Sequence, residues 1–296
     1  MEEAIRKASV LIEALPYIRA FQGKVFVIKF GGAAMEDSAT LECVVEDIVF
    51  LESVGIKPVL VHGGGPEITR EMKARRIEAK FVQGHRVTDE ATMEIVREVL
   101  ANRINVSICR RLERAQGRPV SFADPFQGAL RAKRRTARVR LLDGSVQELD
   151  LGLVGDMEAI DAEMFRRALE ARQVPVVASL ARGPNDEMLN VNADLVAAFV
   201  ATALQAEKAV FLSDTNGILT DPKNPVSFAD TLTEAQVHDL IARRVVDGGM
   251  LPKVEACLAA LHGGVRKTHI IDGRIKHALL LEIFTDKGVG TQIIRQ

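Results

Sequence analysis

The 296-residue sequence contains no tryptophan, one tyrosine and only three cysteines. With so few aromatic rings to stack on bases and a net charge of −1, we expect neither nucleic acid nor a membrane surface as a partner. Cys43, Cys109 and Cys257 are far apart and form no CxxC or zinc-binding spacing, which favours reduced thiols in a cytoplasmic protein. No apolar run reaches the length of a membrane span, and the charged N-terminal segment lacks the apolar core of a signal peptide.

The sequence also lacks the motifs of the common nucleotide-binding and hydrolytic enzymes. No GxxxxGK[ST] occurs, and GVGTQI near the C-terminus is neither a complete GxGxxG nor followed by a helical pattern. The HRD and DFG motifs of protein kinases, the GxSxG motif and the HExxH motif are absent as well. Any nucleotide chemistry must therefore use a different set of residues.

Strand-like and helix-like segments alternate through most of the chain. Apolar runs that end in glycines, at 24–32 and 57–65, flank an amphipathic stretch at 36–55, and similar pairs continue from residue 157. This alternation predicts βαβ units, a mostly parallel sheet with helices on both faces, and two lobes that share the sheet. Ligands in such sheets collect at the carboxyl ends of the strands, where both glycine clusters fall.

Three stretches differ from this pattern. Residues 129–156 alternate around Asp143-Gly144, which predicts a β-hairpin. Six basic residues at 131–140 form either a nucleic-acid-binding strand or, in our interpretation, an exposed strand face. Residues 279–294 also alternate as a strand does. At the N-terminus, the spacing of Ala4, Leu11 and Ile18 predicts an amphipathic helix that bends or ends near Pro16, with its apolar face on its own domain or on a partner.

Polar clusters lie where predicted strands give way to loops or helices. Lys29 ends one apolar strand, and the next strand ends in the glycine run 63–65. Such a lysine is either paired in a site or exposed at a sheet edge. The glycines form either a tight turn or a backbone cradle for an anion. Asn190 and Asp194 are four residues apart, which predicts one helix face, either as a site or as a helix cap and a dipole-paired acid.

Lys253 falls in the first turn of another predicted helix, where it points at an anion or into solvent. Together the candidates are two lysines, two glycine loops, one carboxylate and Arg86. No side chain is clearly poised as a nucleophile or base. This set suits phosphoryl transfer, because that reaction needs anions to be positioned and their charge neutralised.

Eight segments, in order and over almost the whole chain, resemble the amino acid kinase family, and among its members those that phosphorylate N-acetyl-L-glutamate. The segments are VIKFGGAAM, VLVHGGGPEI, FVQGHRVTDEATMEIV, LGLVGD, LNVNAD, VFLSDTNGIL, GGMLPKVEACLAAL and HIIDGRIKHALLLEIFTDKGVGTQI. The resemblance implies a three-layer αβα sandwich around a mainly parallel sheet of about eight strands. It also implies an N-terminal extension helix (1–22), an N-terminal lobe (23–185) that binds N-acetyl-L-glutamate and dimerises, and a C-terminal lobe (186–296) that binds ATP with Mg²⁺.

The same resemblance implies roles for individual residues. Lys29 and Lys253 match two lysines that stabilise the transition state, and Asp194 matches the carboxylate that orients them. The substrate would lie against Gly64, Gly65, Arg86 and Asn190. The nucleotide would border Gly31, Gly32, Lys208, Ser213, Asp214 and Asn216.

The N-terminal helix resembles the extension of arginine-inhibited members, in which paired helices join dimers into a ring-shaped hexamer. By this resemblance, arginine would inhibit the protein by binding at Tyr17, His277, Glu282, Gly288 and Gly290. Three alternatives stay open. The protein is another acyl-phosphate-forming kinase, acting on aminoadipate or a carrier-bound amino acid, or a catalytically silent amino acid sensor, or a nucleic-acid-binding regulator that uses residues 131–140.

Overall fold

Helices and strands alternate along the chain as the sequence predicts. The computed structural model describes residues 1–35, 37–140, 145–221, 223–224, 226–285 and 288–295. In chain order the elements are α1 (Glu2–Phe21), β1 (Val25–Phe30), α2 (Ser38–Ser53), β2 (Lys57–His62), α3 (Gly65–Ala74), β3 (Phe81–Val82), β4 (His85–Arg86), α4 (Glu90–Arg97), α5 (Val106–Arg114), β5 (Pro119–Phe122), β6 (Leu130–Arg140), β7 (Val146–Ile160), α6 (Ala162–Glu170), β8 (Val174–Ala178), β9 (Leu180–Arg182), β10 (Met188–Val191), α7 (Ala193–Ala203), β11 (Lys208–Ser213), β12 (Thr231–Thr233), α8 (Glu234–Ala242), α9 (Leu251–His262), β13 (Lys267–Asp272), α10 (Ala278–Phe284) and β14 (Thr291–Ile294). A π-helical segment (Glu98–Asn105) joins α4 to α5.

The central sheet has eight strands within the described residues, in the order β12-β14-β13-β11-β1-β2-β8-β5. Every neighbouring pair is parallel except β13 and β14. Parallel sheets are covered on both faces, which explains the almost uninterrupted apolar sequence of β1, VFVIKF. The structure thus confirms the predicted mainly parallel sheet of about eight strands.

Two hydrophobic cores, one on each face of this sheet, make the fold a three-layer αβα sandwich. Alternate residues of a strand point to opposite faces. Val27 and Phe211 belong to the core that α6, α7, α8 and α9 cover, whereas Phe26 and Ile28 belong to the core under α2, α3, α4, α5 and α10. The central strands are therefore apolar at successive positions, and a polar side chain within them stands out.

The predicted hairpin at 129–156 is formed by β6 and β7, which pair antiparallel and close into a small sheet with β9 and β10. Its turn at Asp143-Gly144 lies outside the described residues. Among the described residues of β6, Arg131, Lys133 and Arg134 are exposed, which supports the exposed-strand interpretation. Arg134 also pairs with Glu187, and Arg135 pairs with Asp156.

The N-terminal helix does not end at Pro16; α1 continues through it to Phe21. Its last turns pack on the sheet's second core through Ala14, Tyr17 and Ile18. Earlier in the helix, Ile5 and Ile12 are 58% and 68% exposed, so these two apolar side chains are left largely uncovered by the described residues. No helix among the described residues combines the length and apolar character needed to cross a bilayer.

The alternation at residues 279–294 predicts a strand, and this prediction is wrong for most of the stretch. Only its last residues form a strand. Residues 278–284 form α10, and β14 begins at Thr291. The buried positions of α10 include Leu279, Glu282 and Ile283, which have the three- and four-residue spacing of a helix that covers a core. Packing on the sheet decided the structure over the local alternation.

Candidate active site

A cavity of about 270 Å³ opens at the carboxyl ends of β1 and β2. The two strands end side by side, with Phe30 opposite His62. Each then runs into a glycine segment that forms part of the cavity wall. The predicted residues that line the cavity are Lys29, Gly31, Gly32, Gly64, Gly65, Arg86, Asn190 and Asp194. Four separate stretches of chain therefore bring these side chains and glycines to one place.

Lys29 and Asp194 form a nearly buried ion pair on the cavity wall. Lys29 Nζ lies 2.9 Å from Asp194 Oδ1, and both side chains are less than a tenth exposed. Oδ1 makes no aligned hydrogen bond, so the contact is held by charge. The alternative of a solvent-exposed lysine at a sheet edge is excluded, since β1 lies between β2 and β11.

Asn190 and Asp194 do not share a helix face, contrary to the expectation from their spacing. Asn190 belongs to β10, which pairs with β7 and β9, whereas Asp194 lies in the first turn of α7. Between them Asn192 caps the helix, and its Oδ1 accepts hydrogen bonds from the backbone N–H groups of Asp194 (2.8 Å) and Leu195 (3.3 Å). Because β10 and α7 meet at the cavity, both side chains reach its wall, Asn190 from the strand and Asp194 from the helix.

Arg86 is a buried cation without an anionic partner among the described residues. Its guanidinium donates to the carbonyl oxygen of Gly65 (3.0 Å) and to Thr69 Oγ1 (2.7 Å), and it stacks 4.7 Å from the centre of the Phe81 ring. Burial lowers the pKa of Arg86 from its ordinary value. A buried guanidinium that lacks a carboxylate and faces a cavity is a site for the carboxylate or phosphate of a ligand.

The glycines of the cavity wall serve different purposes. A Cβ on Gly31 would lie 2.8 Å from Lys29 Nζ, so this glycine leaves room for the ammonium group. A Cβ on Gly64 would lie 2.6 Å from Ile104 Cδ1 and from Leu100 Cδ2, which makes Gly64 a close packing contact rather than a space for ligand. A Cβ on Gly65 would meet nothing within 4 Å. Gly65 begins α3, whose N-terminus has no side-chain cap and therefore offers backbone N–H groups to an anion.

His62 supports this wall, and sequence reasoning missed it. Its Nδ1 lies 3.1 Å from the carbonyl oxygen of Gly63, and its Nε2 lies 3.0 Å from Asn105 Nδ2. Burial lowers the pKa of His62 to about 4, so the ring is neutral, donates from Nδ1 and accepts at Nε2. His62 orients the glycine segment. Its place at the end of a strand, directly before the glycines, was the signal available in the sequence.

A second cavity, of about 340 Å³, lies along the same edge of the sheet, beyond the end of β11. Its wall is largely apolar, from Ile218, Leu219 and Phe228 among others. The polar members are Thr215, Asn216, Asp247 and Arg274. Arg274 pairs with Asp272 at the end of β13 (2.7 Å). An apolar pocket with a few polar groups suits the base and sugar of a nucleotide.

Lys253 lies in the first turn of α9, after the segment that borders the second cavity. Its Nζ donates to the carbonyl oxygen of Gly249 at 3.3 Å. Helices α7 and α9 pack together, and a Cβ on Gly263 at the end of α9 would touch Thr202 near the end of α7. The helices thus run in the same direction, which makes their N-termini neighbours. Consistent with this, the charges of both Asp194 and Lys253 act on the thiol of Cys257, whose pKa burial raises.

Comparison with known proteins agrees with this geometry. The model of the amino acid kinase family matches residues 24–272. An acetylglutamate kinase from Pelotomaculum thermopropionicum is 46% identical over 287 residues, which cover 97% of both chains. This chain belongs to the amino acid kinase family. Membership of a kinase family implies ATP as the phosphoryl donor.

A solved structure has a similar fold within a longer chain. The N-acetylglutamate synthase from Neisseria gonorrhoeae, in complex with coenzyme A and N-acetyl-glutamate, is 27% identical with a TM-score of 0.81, and the match covers 98% of this chain and 63% of that one. The complex of that synthase with coenzyme A and L-arginine matches at 26% identity and a TM-score of 0.79. This chain therefore spans less than two thirds of the synthase chain in its first complex.

The prediction that Lys208 borders the nucleotide is wrong for this member of the amino acid kinase family. Lys208 begins β11, opposite Phe26 at the start of β1, whereas Ser213 ends β11 beside Asp272. Lys208 thus lies at the amino edge of the sheet, a strand length from both cavities. There it is buried 3.1 Å from His269 Nε2 and packs 5.3 Å from the centre of the Phe21 ring. Its position is incompatible with a contact to the nucleotide.

The residues predicted to bind arginine fall into two groups. Glu282 Oε2 accepts hydrogen bonds from the backbone N–H groups of Val289 (2.7 Å) and Gly290 (3.1 Å), and a Cβ on Gly288 would lie 2.5 Å from it. Tyr17 lies in the last turns of α1, which contact α10. His277, which directly precedes α10, forms the second group, since its Nδ1 lies 2.6 Å from Asp47 Oδ1 on α2.

Proposed function

We propose that this protein transfers the γ-phosphoryl group of ATP to the side-chain carboxylate of N-acetyl-L-glutamate, an early step of arginine biosynthesis. One observation carries the proposal. A buried guanidinium without a carboxylate partner among the described residues (Arg86) and a buried lysine–carboxylate pair (Lys29 and Asp194) line the same cavity. The 46% identity to an acetylglutamate kinase supports the choice of acceptor.

Arg86 is the group that suits the backbone-side carboxylate of the acceptor. It is buried, it offers donors in a planar fork, and its neighbours Gly65 and Thr69 accept through neutral oxygens only. Asn190 lies on the same cavity wall, with its Nδ2 3.3 Å from Thr88 Oγ1. In this proposal Arg86 and Asn190 hold one end of the substrate, and the other end reaches Lys29.

The reaction needs no general base. A glutamate side chain has a pKa of about 4.3 and is ionised at neutral pH, so its oxygen attacks the γ-phosphorus directly. A new P–O bond forms, the bond to the bridging oxygen of ADP breaks, and the product is an acyl phosphate. The obstacle is the repulsion between two anions. In the proposal, Lys29, Lys253 and the N–H groups at the start of α3 offset it, and Asp194 keeps Lys29 in place.

ATP would span the two cavities, with its base and sugar beyond β11 and its phosphates toward Lys29. Gly31 and Gly32 line the first cavity, and a Cβ added to Gly273, directly after β13, would lie 3.6 Å from the Cβ of Ala34, just after those glycines. Ser213 ends β11, Asp214 and Asn216 follow it, and Asn216 lines the second cavity. Mg²⁺ bound to the triphosphate would supply further positive charge during transfer. The proposed lobes, 23–185 for the acceptor and 186–296 for ATP, meet along this line.

Trapping the product with hydroxylamine tests the proposal. An acyl phosphate reacts to give a hydroxamate, whereas a phosphate ester does not. We expect hydroxamate only when MgATP is present, most of it with N-acetyl-L-glutamate as the acceptor and much less with glutamate, aspartate or aminoadipate. Hydroxamate formed preferentially from aminoadipate would assign the protein to a related kinase, and no turnover at saturating MgATP would favour an amino acid sensor.

We also propose that arginine inhibits the protein and that α1 joins dimers into a hexamer. The uncovered apolar residues of α1 support an intermolecular role, and the contact between α1 and α10 links that helix to Glu282. The synthase of similar fold was solved with L-arginine. Removing residues 1–20 should yield dimers that arginine no longer inhibits. A truncated protein that stays hexameric and arginine-sensitive contradicts this.

A further inference from the structure

Three side chains with metal-binding atoms converge between α2 and the start of α10, away from both cavities. Cys43 and Glu46 are three residues apart on α2 and so lie on one face of the helix. His277 directly precedes α10 and approaches the same face. The Cys43 thiol, a Glu46 carboxylate oxygen and a His277 ring nitrogen all lie within 4.8 Å of one another.

A fourth residue fixes the orientation of the histidine. Asp47 is buried on α2, and its Oδ1 lies 2.6 Å from His277 Nδ1. This contact directs Nε2, the other ring nitrogen, to the Glu46 side, where it lies 3.9 Å from Glu46 Oε2. Metal-ligating histidines commonly have this arrangement, with one nitrogen donating to a carboxylate and the other binding the ion.

We propose that Cys43, Glu46 and His277 form a binding site for a transition-metal ion, with Zn²⁺ as the best fit. Thiolate, imidazole and carboxylate are the ligands that Zn²⁺ takes, whereas Mg²⁺ takes oxygen ligands. Tetrahedral Zn²⁺ with bonds of 2.0–2.3 Å places its ligand atoms about 3.5 Å apart. The existing separations need only small rotations to reach that value. Three protein ligands leave a fourth position for water.

A bound ion would tie α2 to the start of α10. The backbone of His277 has a φ of 55°, in the left-handed region that residues other than glycine rarely adopt. Without an ion, the cluster places two carboxylates, Glu46 and Asp47, around one imidazole. A divalent cation would offset that negative charge.

Titration of the full-length, nucleotide-free protein with Zn²⁺ tests the site, with a phosphine keeping the thiols reduced. We expect one Zn²⁺ per chain, retained in excess Mg²⁺, and a rise in the thermal unfolding midpoint. Co²⁺ should give a near-ultraviolet thiolate charge-transfer band. Cys43→Ser should abolish that band and the thermal shift. Asp47→Asn should weaken Zn²⁺ binding about 10- to 100-fold, because it perturbs only the orienting contact.

Two matched variants serve as controls, and each should bind Zn²⁺ as the unaltered protein does. Cys109→Ser removes another half-buried thiol, whose Sγ contacts Asn105. His262→Gln removes an exposed histidine that also contacts a carboxylate, Glu234. The proposal is overturned if Zn²⁺ does not bind, or if binding and the cobalt band survive in Cys43→Ser. Loss of binding in His262→Gln with normal binding in Cys43→Ser would move the site to α8 and α9. None of these readouts depends on kinase activity.

Discussion

Lys29 and Lys208 are buried lysines on neighbouring strands of one sheet, yet their surroundings differ. Lys29, near the carboxyl end of β1, meets Asp194 directly and lines a cavity with glycines beside it. Lys208, at the amino end of β11, is enclosed: its ammonium contacts His269, which contacts Glu282 at 2.6 Å. Phe21 of α1 covers it.

The difference follows from the ends of the strands. At the carboxyl edge the strands stop at glycines and the helices begin, so backbone N–H groups and space face a ligand. At the amino edge the strands follow the C-terminal ends of helices, and α1 covers the start of β11. A buried charge at the carboxyl edge can meet an external anion, whereas one at the amino edge must be satisfied within the protein or lose its charge.

The strongest test of this contrast is to remove each ammonium group in turn. Lys29→Met should lower kcat about 10²–10³-fold, the scale of losing one preorganised donor to developing negative charge. Lys208→Met should leave kcat close to that of the unaltered protein, because Lys208 lies a strand length from the site. A coupled assay for ADP with saturating substrates measures both.

Stability has to be followed in the same variants. Lys29→Met leaves the Asp194 carboxylate buried without its cation, which also destabilises the fold. Thermal unfolding therefore checks that the variant is folded at the assay temperature. If Lys29→Met and Lys208→Met are both folded and lose kcat equally, the proposed difference between the carboxyl and amino edges of the sheet is contradicted.

The next largest effect concerns pH and the amino edge. Burial, followed by the charge of Lys267, lowers the pKa of Lys208 to about 8. In the unfolded chain the pKa is about 10.4, so between these values the unfolded state holds a proton that the folded state has released. This group's contribution to the free energy of unfolding should therefore rise with pH, by about 2 kcal/mol from pH 8 to pH 10. Urea unfolding of the unaltered protein and Lys208→Met at both pH values isolates this change. A constant difference between them would contradict it.

The two lysines also show what the sequence could and could not reveal. Each belongs to an apolar run, and such runs, with the glycines that end several of them, were enough to predict the parallel sheet and its helical layers. Lys208 begins its run, directly after Glu207, whereas Lys29 stands near the end of its run, so the sequence did carry a local signal for opposite edges. The register, with Lys208 opposite Phe26 and Lys267, places Lys208 at the amino edge.

Asn190 illustrates a similar limit. Its four-residue spacing from Asp194 suggested one helix, although the helix-capping preference of Asn192 was present between them. Counting Asn192 as the cap would have ended the strand before it. The contacts of Arg86 with Thr69 and Phe81 were beyond reach, since they depend on how β3 and β4 fold over α3.

Arg86 offers a third test, with a smaller effect and an unusual combination of results. Arg86→Met should raise KM for N-acetyl-L-glutamate about 30-fold, or about 2 kcal/mol, the value of a charge-assisted hydrogen bond to substrate. Stability should be kept or rise slightly, because the variant removes a buried charge that has no anionic partner among the described residues. Arg103→Met, which removes an exposed arginine paired with Glu71 and Glu98, should leave KM unchanged. An unchanged KM in Arg86→Met would refute the substrate contact.

The smallest expected effects separate two adjacent glycines of the carboxyl edge. Gly64→Ala would press a Cβ against Ile104 and Leu100, so the free energy of unfolding should fall by about 1–2 kcal/mol. Gly65→Ala meets no protein atom and begins a helix, so stability should hold or rise by less than about 1 kcal/mol. If substrate oxygens fill that space, Gly65→Ala should instead raise KM. Denaturant unfolding and initial rates on both variants decide the matter: a Gly65→Ala protein with normal KM would show that the open space beside α3 does not hold the substrate.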